Sequence, residues 1–523
     1  MLFKLKKEDF WFIGLLLIIA IVFSINLGLM PLLADEPIRA LVSLEMLLNN
    51  NFIYPTFGGE AYLNKPPLFN WLIASTSFNH LKFSEWHLRV IPVISFLAIS
   101  ILHYFVCSKY VSKKIALWSS IAFLTSGRIL FYDSLMCYID PLFSLVILAN
   151  FYLILIGSKK NKLILLFVAS YLLCTIAFFL KGLPACAFQV CTLLAVFIYR
   201  NKFNQLIRLP HLSGICLFII VLSIYYYEYG SYGSVENALR ALISQSTQRT
   251  PLSTSIYETI THCIQFPFQF IIDFLPFSLL LLFCFHKNII QTVKENDFVF
   301  GSIIVVGANL WLYWISPETR PRYLFMFVPL FYTIIFHAYD TYKKPKSVLI
   351  IRCCIIVIAI FSITVLLILP FLPHFKFISN SLWISIFSVC ILLLLLFLFY
   401  KKSIHAVLML ILILIILRID FSLFILPLRK KEAPESVNKN VGITLARLTQ
   451  GHALTTLYHA PINDDIRFYA TLNRGEIIYN KFGAPKESGY YIVNIEVLNQ
   501  FHLTPVYQFS VTYESRTLYL VKK

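Results

Sequence analysis

Two carboxylates stand side by side at Asp35-Glu36, and thirty residues further on the chain reads Asn64-Lys65-Pro66-Pro67-Leu68-Phe69-Asn70-Trp71. Proline fixes its own φ and keeps the residue before it extended, so the diproline sets where Lys65 points. A carboxylate that orients an acceptor or takes its proton, beside a cation that steadies a departing anion, is equipment for group transfer. The plainer reading of Asp35-Glu36 is helix capping, since carboxylates are favoured ahead of a first turn. A cap accounts for one carboxylate better than for two.

Further charges lie at the edges of apolar runs: Arg39, Asp133, Asp140, Lys181, Arg320 and Arg322. Lys181 sits between Phe179-Leu180 and Gly182-Leu183, where an ammonium is costly without a partner. Arg320 and Arg322 read either as binders of an anionic group or as side chains snorkelling to headgroups. Asp140, just before Pro141, reads either as a ligand group or as an N-cap.

The elements that position these groups are membrane helices. The chain of 523 residues is 59% hydrophobic and only 13% charged, with a mean hydropathy of +0.76. A soluble core cannot bury that much apolar surface, whereas a bilayer accepts it. A span needs about 20 apolar residues. Thirteen runs qualify, centred on 11–33, 88–107, 115–130, 135–157, 163–180, 184–199, 212–227, 264–285, 298–315, 323–339, 348–370, 381–400 and 403–424. The first lacks a small-residue cleavage site and reads as retained. Lysines and arginines crowd alternate short loops (Lys109, Lys113, Lys114; Lys159, Lys160; Arg200, Lys202; Lys344, Lys346; Lys401, Lys402), which places the N-terminus inside and, after an odd number of spans, the C-terminus outside. The net charge of +18 is mostly this bias and is a poor sign of nucleic-acid binding.

Three outer segments follow: a loop over 34–87, a second over 228–262, and a tail over 429–523, leaving 1–428 as the membrane domain. Pro37 to Asn49 reads as an interfacial helix with Leu41, Leu44, Met46 and Leu48 on its apolar side. The tail alternates strand-like runs (453–458, 490–494, 506–512, 517–521) with helix-like ones (435–449, 463–472, 495–501) and reads as a small α/β domain. Its Asn463-Asp464-Asp465, Arg467 and Tyr469 read either as a carbohydrate-binding loop or, the plainer reading, as a solvated one, and the domain as a cover for the membrane cavity that helps select the acceptor. The eleven cysteines are odd in number and absent from the tail, which argues against a disulfide framework.

Asp35-Glu36, Arg39, Glu45-Met46, Pro55, Gly59, Tyr62 and Lys65-Pro66-Pro67-Leu68 with Trp71 resemble the first-loop signature of phospholipid-carrier-dependent glycosyltransferases of the membrane GT-C class. These include the lipid A aminoarabinose transferases and the protein O-mannosyltransferases. Tyr132-Asp133, Asp140-Pro141-Leu142, Lys181-Gly182 with Pro184, and Arg320, Arg322-Tyr323-Leu324 with Pro329 resemble weaker downstream marks of the same group. Thirteen spans with an outer α/β tail are similar to the aminoarabinose transferase plan in particular.

The resemblance implies an inverting glycosyltransferase that takes a sugar from a polyprenyl-phosphate carrier, in a bacterial inner membrane with the tail in the periplasm. The expected roles are Asp35 and Glu36 as catalytic carboxylates, with Asp35 nearest the acceptor. Lys65, Lys181, Arg320, Arg322 and Arg39 are expected at the donor phosphate, and Asp133, Asp140, Tyr62 and Tyr323 at sugar or acceptor. A hydroxyl acceptor needs a base; a lipid A phosphate does not. The aminoarabinose transferases usually carry a glutamate before the lysine, linked to a metal. Here that position is Asn64, a poorer ligand for zinc than a carboxylate, and His80, His87 and His262 have no metal-ligand spacing, so no metal is expected to be required. Lipid A is the expected acceptor, with a protein acceptor as the alternative. A flippase for lipid-linked sugar is the reading from another class; it predicts paired half-repeats and mid-membrane charges, which the sequence does not show.

Overall fold

The computed structural model describes residues 6–77, 83–160, 162–247, 255–284, 289–342, 344–458, 460–485, 488–511 and 516–523. Every one of the thirteen apolar runs carries a helix. Among the described residues, eight helices are long and apolar enough to cross a membrane, or up to ten if each of two bent pairs is one span. Pro184–Tyr199 is a shorter apolar helix. The first helix, Lys7–Ser24, starts earlier than its run because Glu8 and Asp9 favour its first turn. Lys113 pairs with Asp9 at 2.5 Å, and Lys159 and Arg200 with Asp297 at 2.6 and 2.5 Å, so the lysine-rich loops gather at one end of the bundle.

The run over 264–285, expected as one span, is broken. Helix Ile256–Asp273 turns through 114° into a short helical turn, Phe277–Phe283. Pro276 has no N–H to continue the helix. The carbonyls freed at the break find donors: Ser278 Oγ to Ile271, Tyr332 hydroxyl to Phe274, both 2.6 Å, and the Gly127 N–H to Leu275, 2.7 Å. Backbone polar groups at membrane depth need such partners.

The helix of the first loop, Glu36–Leu48, does not lie at an interface. It is buried on nearly every side, Pro37, Ala40, Val42 and Ser43 included. The tail covers the side that was expected to face solvent. A two-stranded hairpin follows, β1 (Thr56–Phe57) antiparallel to β2 (Glu60–Ala61). The buried Glu45 carboxylate holds its turn, accepting from Thr56 Oγ1 and the Gly58 N–H at 2.7 Å and the Gly59 N–H at 3.1 Å. Gly58 has φ +62°, and a Cβ there would strike the Arg467 guanidinium of the tail.

The tail is the expected α/β unit. Helix Pro434–Leu448 leads into a sheet of order β4-β3-β5-β7-β6: β3 is Leu454–Leu457, β4 Tyr479–Lys481, β5 Tyr490–Val493, β6 Pro505–Val511 and β7 Arg516–Lys522. β3 is parallel to β4 and β5; β7 is antiparallel to β5 and β6. The acidic segment read as a solvated loop is the first turn of a buried helix, Asp464–Arg474. Tyr469 on that helix donates to Glu85 at 2.7 Å and accepts from the Leu32 N–H at 3.1 Å. Lys439 reaches the same Glu85 oxygen at 2.5 Å. The tail therefore docks on the first loop and the residues just before it through these polar contacts.

Candidate active site

Asp35 ends up at the mouth of a cavity because Glu36 is anchored behind it. Glu36 is fully buried. Arg89 grips both its oxygens, Nε at 2.9 Å and Nη2 at 2.8 Å, and the N–H groups of Cys137 (2.6 Å) and Leu33 (2.8 Å) complete its shell. The other guanidinium hydrogens hold the carbonyls of Leu27, Met30 and Pro31. A carboxylate so saturated has no capacity left for a substrate. The expectation of Glu36 as a catalytic group is corrected: it clamps three chain segments and turns its neighbour, Asp35, outward.

Asp35 makes no capping hydrogen bond with its side chain, which instead accepts from Arg322 Nη2 at 2.7 Å and remains half exposed. Arg322 also approaches Asp140, Nε to Oδ2 3.3 Å, and lies 4.1 Å over the Tyr138 ring. Burial works against the Arg322 charge, but Asp140 and then lesser neighbours, Asp35 among them, outweigh it and raise its pKa. On the far side of Asp140, Lys181 Nζ sits 2.5 Å from Oδ1 and 3.8 Å over the ring of Tyr323, with both charged side chains buried. The order Asp35, Arg322, Asp140, Lys181 is a row of alternating charge running from solvent inward.

Lys65 closes the row from the other wall. Its ammonium donates to Gln245 Oε1 at 3.2 Å, and the Gln245 amide donates to Asn64 Oδ1 at 2.5 Å. Gln245 belongs to helix Val235–Thr247 of the second loop. Arg39 faces the same space beside Tyr62, 5.7 Å from its ring centre, and among the described residues its buried Nη1 has no hydrogen-bond partner. Burial, the largest influence, pushes the Tyr62 hydroxyl above its usual range.

These side chains line a polar cavity of about 230 Å³ that contains Asp35, Arg39, Tyr62, Lys65, Asp140, Lys181, Arg322 and Tyr323. A second cavity of similar volume adjoins it. Its walls are mainly apolar (Leu183, Pro184, Phe188, Leu242, Leu312), and Lys65, Lys181, Gln245 and Tyr323 belong to both. The cations thus stand at the junction of an apolar slot and a polar chamber.

Two expected residues are not brought in. Arg320 is exposed and lines neither cavity, because the short helical turn Pro321–Leu324 points Arg322 inward and leaves Arg320 outside it. Asp133 is buried away from the chamber and pairs with Arg128 at 2.9 Å. Among the described residues, no three His, Cys, Asp or Glu side chains form a metal cluster. His87 bonds Ser84, His262 meets the Trp314 carbonyl, and His80 lies outside the described residues. The surroundings of Asn64 do not fit a divalent cation: its oxygen accepts from the Gln245 amide, whose own oxygen accepts from the Lys65 ammonium. Gln245 and Tyr138 were missed. Neither stands out in sequence, one being a lone amide on an amphipathic helix and the other a tyrosine inside an apolar run. Arg89 had a signal, as a lone arginine in the 88–107 run.

The description dolichyl-phosphate-mannose-protein mannosyltransferase belongs to the family model that matches residues 64–227. Undecaprenyl phosphate-alpha-4-amino-4-deoxy-L-arabinose arabinosyl transferase 2 of Proteus mirabilis (strain HI4320) is 27% identical over 180 residues, 33% of this chain and 32% of that protein. An uncharacterized protein of Aquifex aeolicus (strain VF5) is 32% identical over 117 residues, 22% of this chain and 28% of that one. The chain spans about a third of the length of the curated relatives it matches. The whole chain superposes on the crystal structure of ArnT from Cupriavidus metallidurans bound to undecaprenyl phosphate, with a TM-score of 0.69 over 98% of this chain and 97% of that one.

The chain has the ArnT fold.

The identity in that match is 14%, and the apo state of the same ArnT gives a TM-score of 0.67 at 13%. What the two chains share is therefore architecture: a polytopic α-helical bundle with a small C-terminal α/β unit.

Proposed function

We propose that this protein transfers a sugar from a polyprenyl-phosphate carrier to lipid A phosphate at the outer face of a bacterial inner membrane. One observation carries the reading: an apolar slot opens into a polar chamber, and Lys65 and Lys181 stand at the junction. A molecule that is half hydrocarbon, half sugar, with one phosphate between them, has that pattern. The solved ArnT complex with undecaprenyl phosphate supports the same carrier.

The polyprenyl chain lies in the slot. The sugar occupies the chamber, where Asp140 and Tyr62 meet its hydroxyl or amino groups. Lys65, Lys181 and Arg322 surround the bridging phosphate, and Arg39 offers its unpartnered N–H. An acceptor oxygen attacks the anomeric carbon while the bond from that carbon to the phosphate oxygen breaks. Negative charge grows on the departing phosphate, and fixed cations favour it most at that moment. Asp35, half exposed and held by Arg322, faces the side from which an acceptor arrives. A lipid A phosphate is already ionised, so Asp35 then orients rather than deprotonates. With a serine or threonine acceptor it is the base. No step runs through a metal.

The test is transfer by purified protein from a labelled carrier sugar, with lipid A and an acceptor peptide in parallel. We expect labelled lipid A and no labelled peptide, with Lys65→Ala inactive and Asp35→Asn strongly impaired while both variants insert normally. Labelled peptide alone would move the assignment to protein glycosylation. Carrier returned intact on the other face would make the protein a flippase. Full activity in both variants would remove the site.

A further inference from the structure

The lysine-rich end of the bundle, opposite the active site, holds a larger cavity, of about 410 Å³. Five helix ends enclose it: the starts of Lys113–Leu124, Pro345–Ile368 and Ala406–Asp420, and the ends of Val328–Tyr342 and Ser381–Tyr400. Its volume is in the range of ligand pockets, far above what a few waters fill. The floor is apolar, with Trp118, Leu280, Phe336 and Ile351. Trp118 lies one helical turn inside Lys114, about 6 Å deeper along the axis.

The rim is charged, and its charges do not cancel. Lys114 is neutralised by Asp340 at 3.0 Å. Arg352 donates to the Phe399 carbonyl at 3.1 Å and lies over that ring at 4.7 Å, contacts that hold the guanidinium in place without using its charge. Among the described residues neither Arg352 nor Lys402 pairs with a carboxylate, so two net positive charges face the opening. A second observation points inward. Trp118 is 9% exposed, and among the described residues its buried indole N–H finds no acceptor. A donor left this way in a roomy cavity is an unmet demand for a ligand oxygen.

We propose that this cavity binds an anionic phospholipid of the surrounding leaflet. One acyl chain lies on the floor, the phosphate meets Arg352 and Lys402, and an ester oxygen accepts from Trp118. The apolar floor disfavours a free inorganic anion, and the net charge of the rim disfavours a zwitterionic lipid. Basic pockets between membrane helices at the positive face are where anionic headgroups are held. Such a lipid would tie the helix Pro345–Ile368 to the catalytic half of the bundle, because Arg352 stands on one and Trp118 on the other.

Native mass spectrometry of the full-length protein tests this, with phosphatidylglycerol, phosphatidylethanolamine, undecaprenyl phosphate and inorganic phosphate added separately. Each unpaired cation beside an anionic lipid contributes roughly a fivefold preference, so phosphatidylglycerol should exceed phosphatidylethanolamine by about 25-fold. The variant Arg352→Gln/Lys402→Gln should abolish that preference while leaving undecaprenyl phosphate binding unchanged. Lys402→Gln alone, at an exposed position that does not threaten folding, should lower it about fivefold. Equal binding of the two phospholipids would overturn the proposal. So would an unchanged preference in the Lys402 variant, or inorganic phosphate that displaces phosphatidylglycerol completely.

Discussion

Replacing Lys181 by methionine separates what this lysine does for the fold from what it does for a substrate. The side chain is buried, its ammonium 2.5 Å from Asp140 and 3.8 Å over Tyr323. Removing one partner of a buried ion pair costs about 3–5 kcal/mol because the other charge is stranded. Asp140 is not stranded completely, since Arg322 stays 3.3 Å from its other oxygen. The low end applies, about 3 kcal/mol. Asp140→Asn leaves Lys181 without a counter-charge, and Arg322 keeps Asp35; its cost falls in the same range. The double variant Lys181→Met/Asp140→Asn contains no stranded charge and should recover to within about 1 kcal/mol of the parent. Thermal unfolding of the four proteins in one detergent measures the cycle, and a labelled-carrier transfer assay runs beside it. All three variants should be inactive, although the double variant is nearly as stable as the parent. A cycle that is additive within about 0.5 kcal/mol would show that the pair is not energetically coupled, and the account of the charged row would fail.

Three further outcomes follow from the geometry. Glu36→Gln or Arg89→Met should lower the yield of folded protein and destabilise it by about 3–5 kcal/mol, while the folded fraction keeps at least half its turnover per active site; a folded but dead enzyme would return Glu36 to the catalytic set. Because the Asn64 oxygen accepts from the Gln245 amide and an amide is a poorer ligand for zinc than a carboxylate, thorough chelation should leave transfer unchanged; a loss restored by zinc would refute this. In the tail, burial raises Asp465 to about 6 even though Asn438 bonds it. The folded state then holds this proton more tightly than the unfolded chain does. Its stabilisation is complete below about pH 4 and is lost as pH rises through 6, by at most about 3 kcal/mol. Unfolding followed from pH 4 to 7 should show that slope in the parent and a flatter one in Asp465→Asn.

Periodicity made the helices legible, and alternation made the tail legible: all four of its expected strands and two of its three expected helices match within one residue at each end. The strand β4 escaped because Tyr479–Lys481 is three residues long with only its middle residue partly buried, too short to show a period. The break near Pro276 escaped because the run over 264–285 is mostly apolar on both sides of it, and hydropathy does not see direction. In the site, residues were legible when their chemistry clashed with their surroundings. Lys181 inside an apolar run had to have a partner, and Asp140 is that partner. Glu36 was misplaced because sequence neighbours on a helix start point some 100° apart: one carboxylate of an adjacent pair faces the cavity and the other faces the protein. Asp133 and Arg320 failed for a related reason, since a charge at a span edge says that a partner exists but not on which side. Gln245 was illegible because its role is set by a loop closing from 180 residues away.

The charge in the chamber also bears on how the carrier leaves. Four cations (Arg39, Lys65, Lys181, Arg322) face two carboxylates (Asp35, Asp140), a net charge of +2. A sugar-bearing carrier is a phosphodiester with one negative charge. Once the sugar is gone the phosphate is a monoester with a second pKa near 6, so at neutral pH it carries nearly two. Attraction therefore grows along the reaction, which favours transfer and hinders release. Asp140 counters this by occupying Lys181 and Arg322 whenever the phosphate is absent. Taking its charge away should raise the affinity for undecaprenyl phosphate about tenfold, since one like charge a few ångströms away in a partly buried site is worth on the order of 1–2 kcal/mol. Titration of Asp140→Asn with undecaprenyl phosphate measures this in the absence of any sugar, so the result does not depend on turnover. Tighter binding in the variant means that Asp140 competes with the product for the same two cations. Weaker binding would mean that Asp140 positions those cations instead, and the release argument would have to be abandoned.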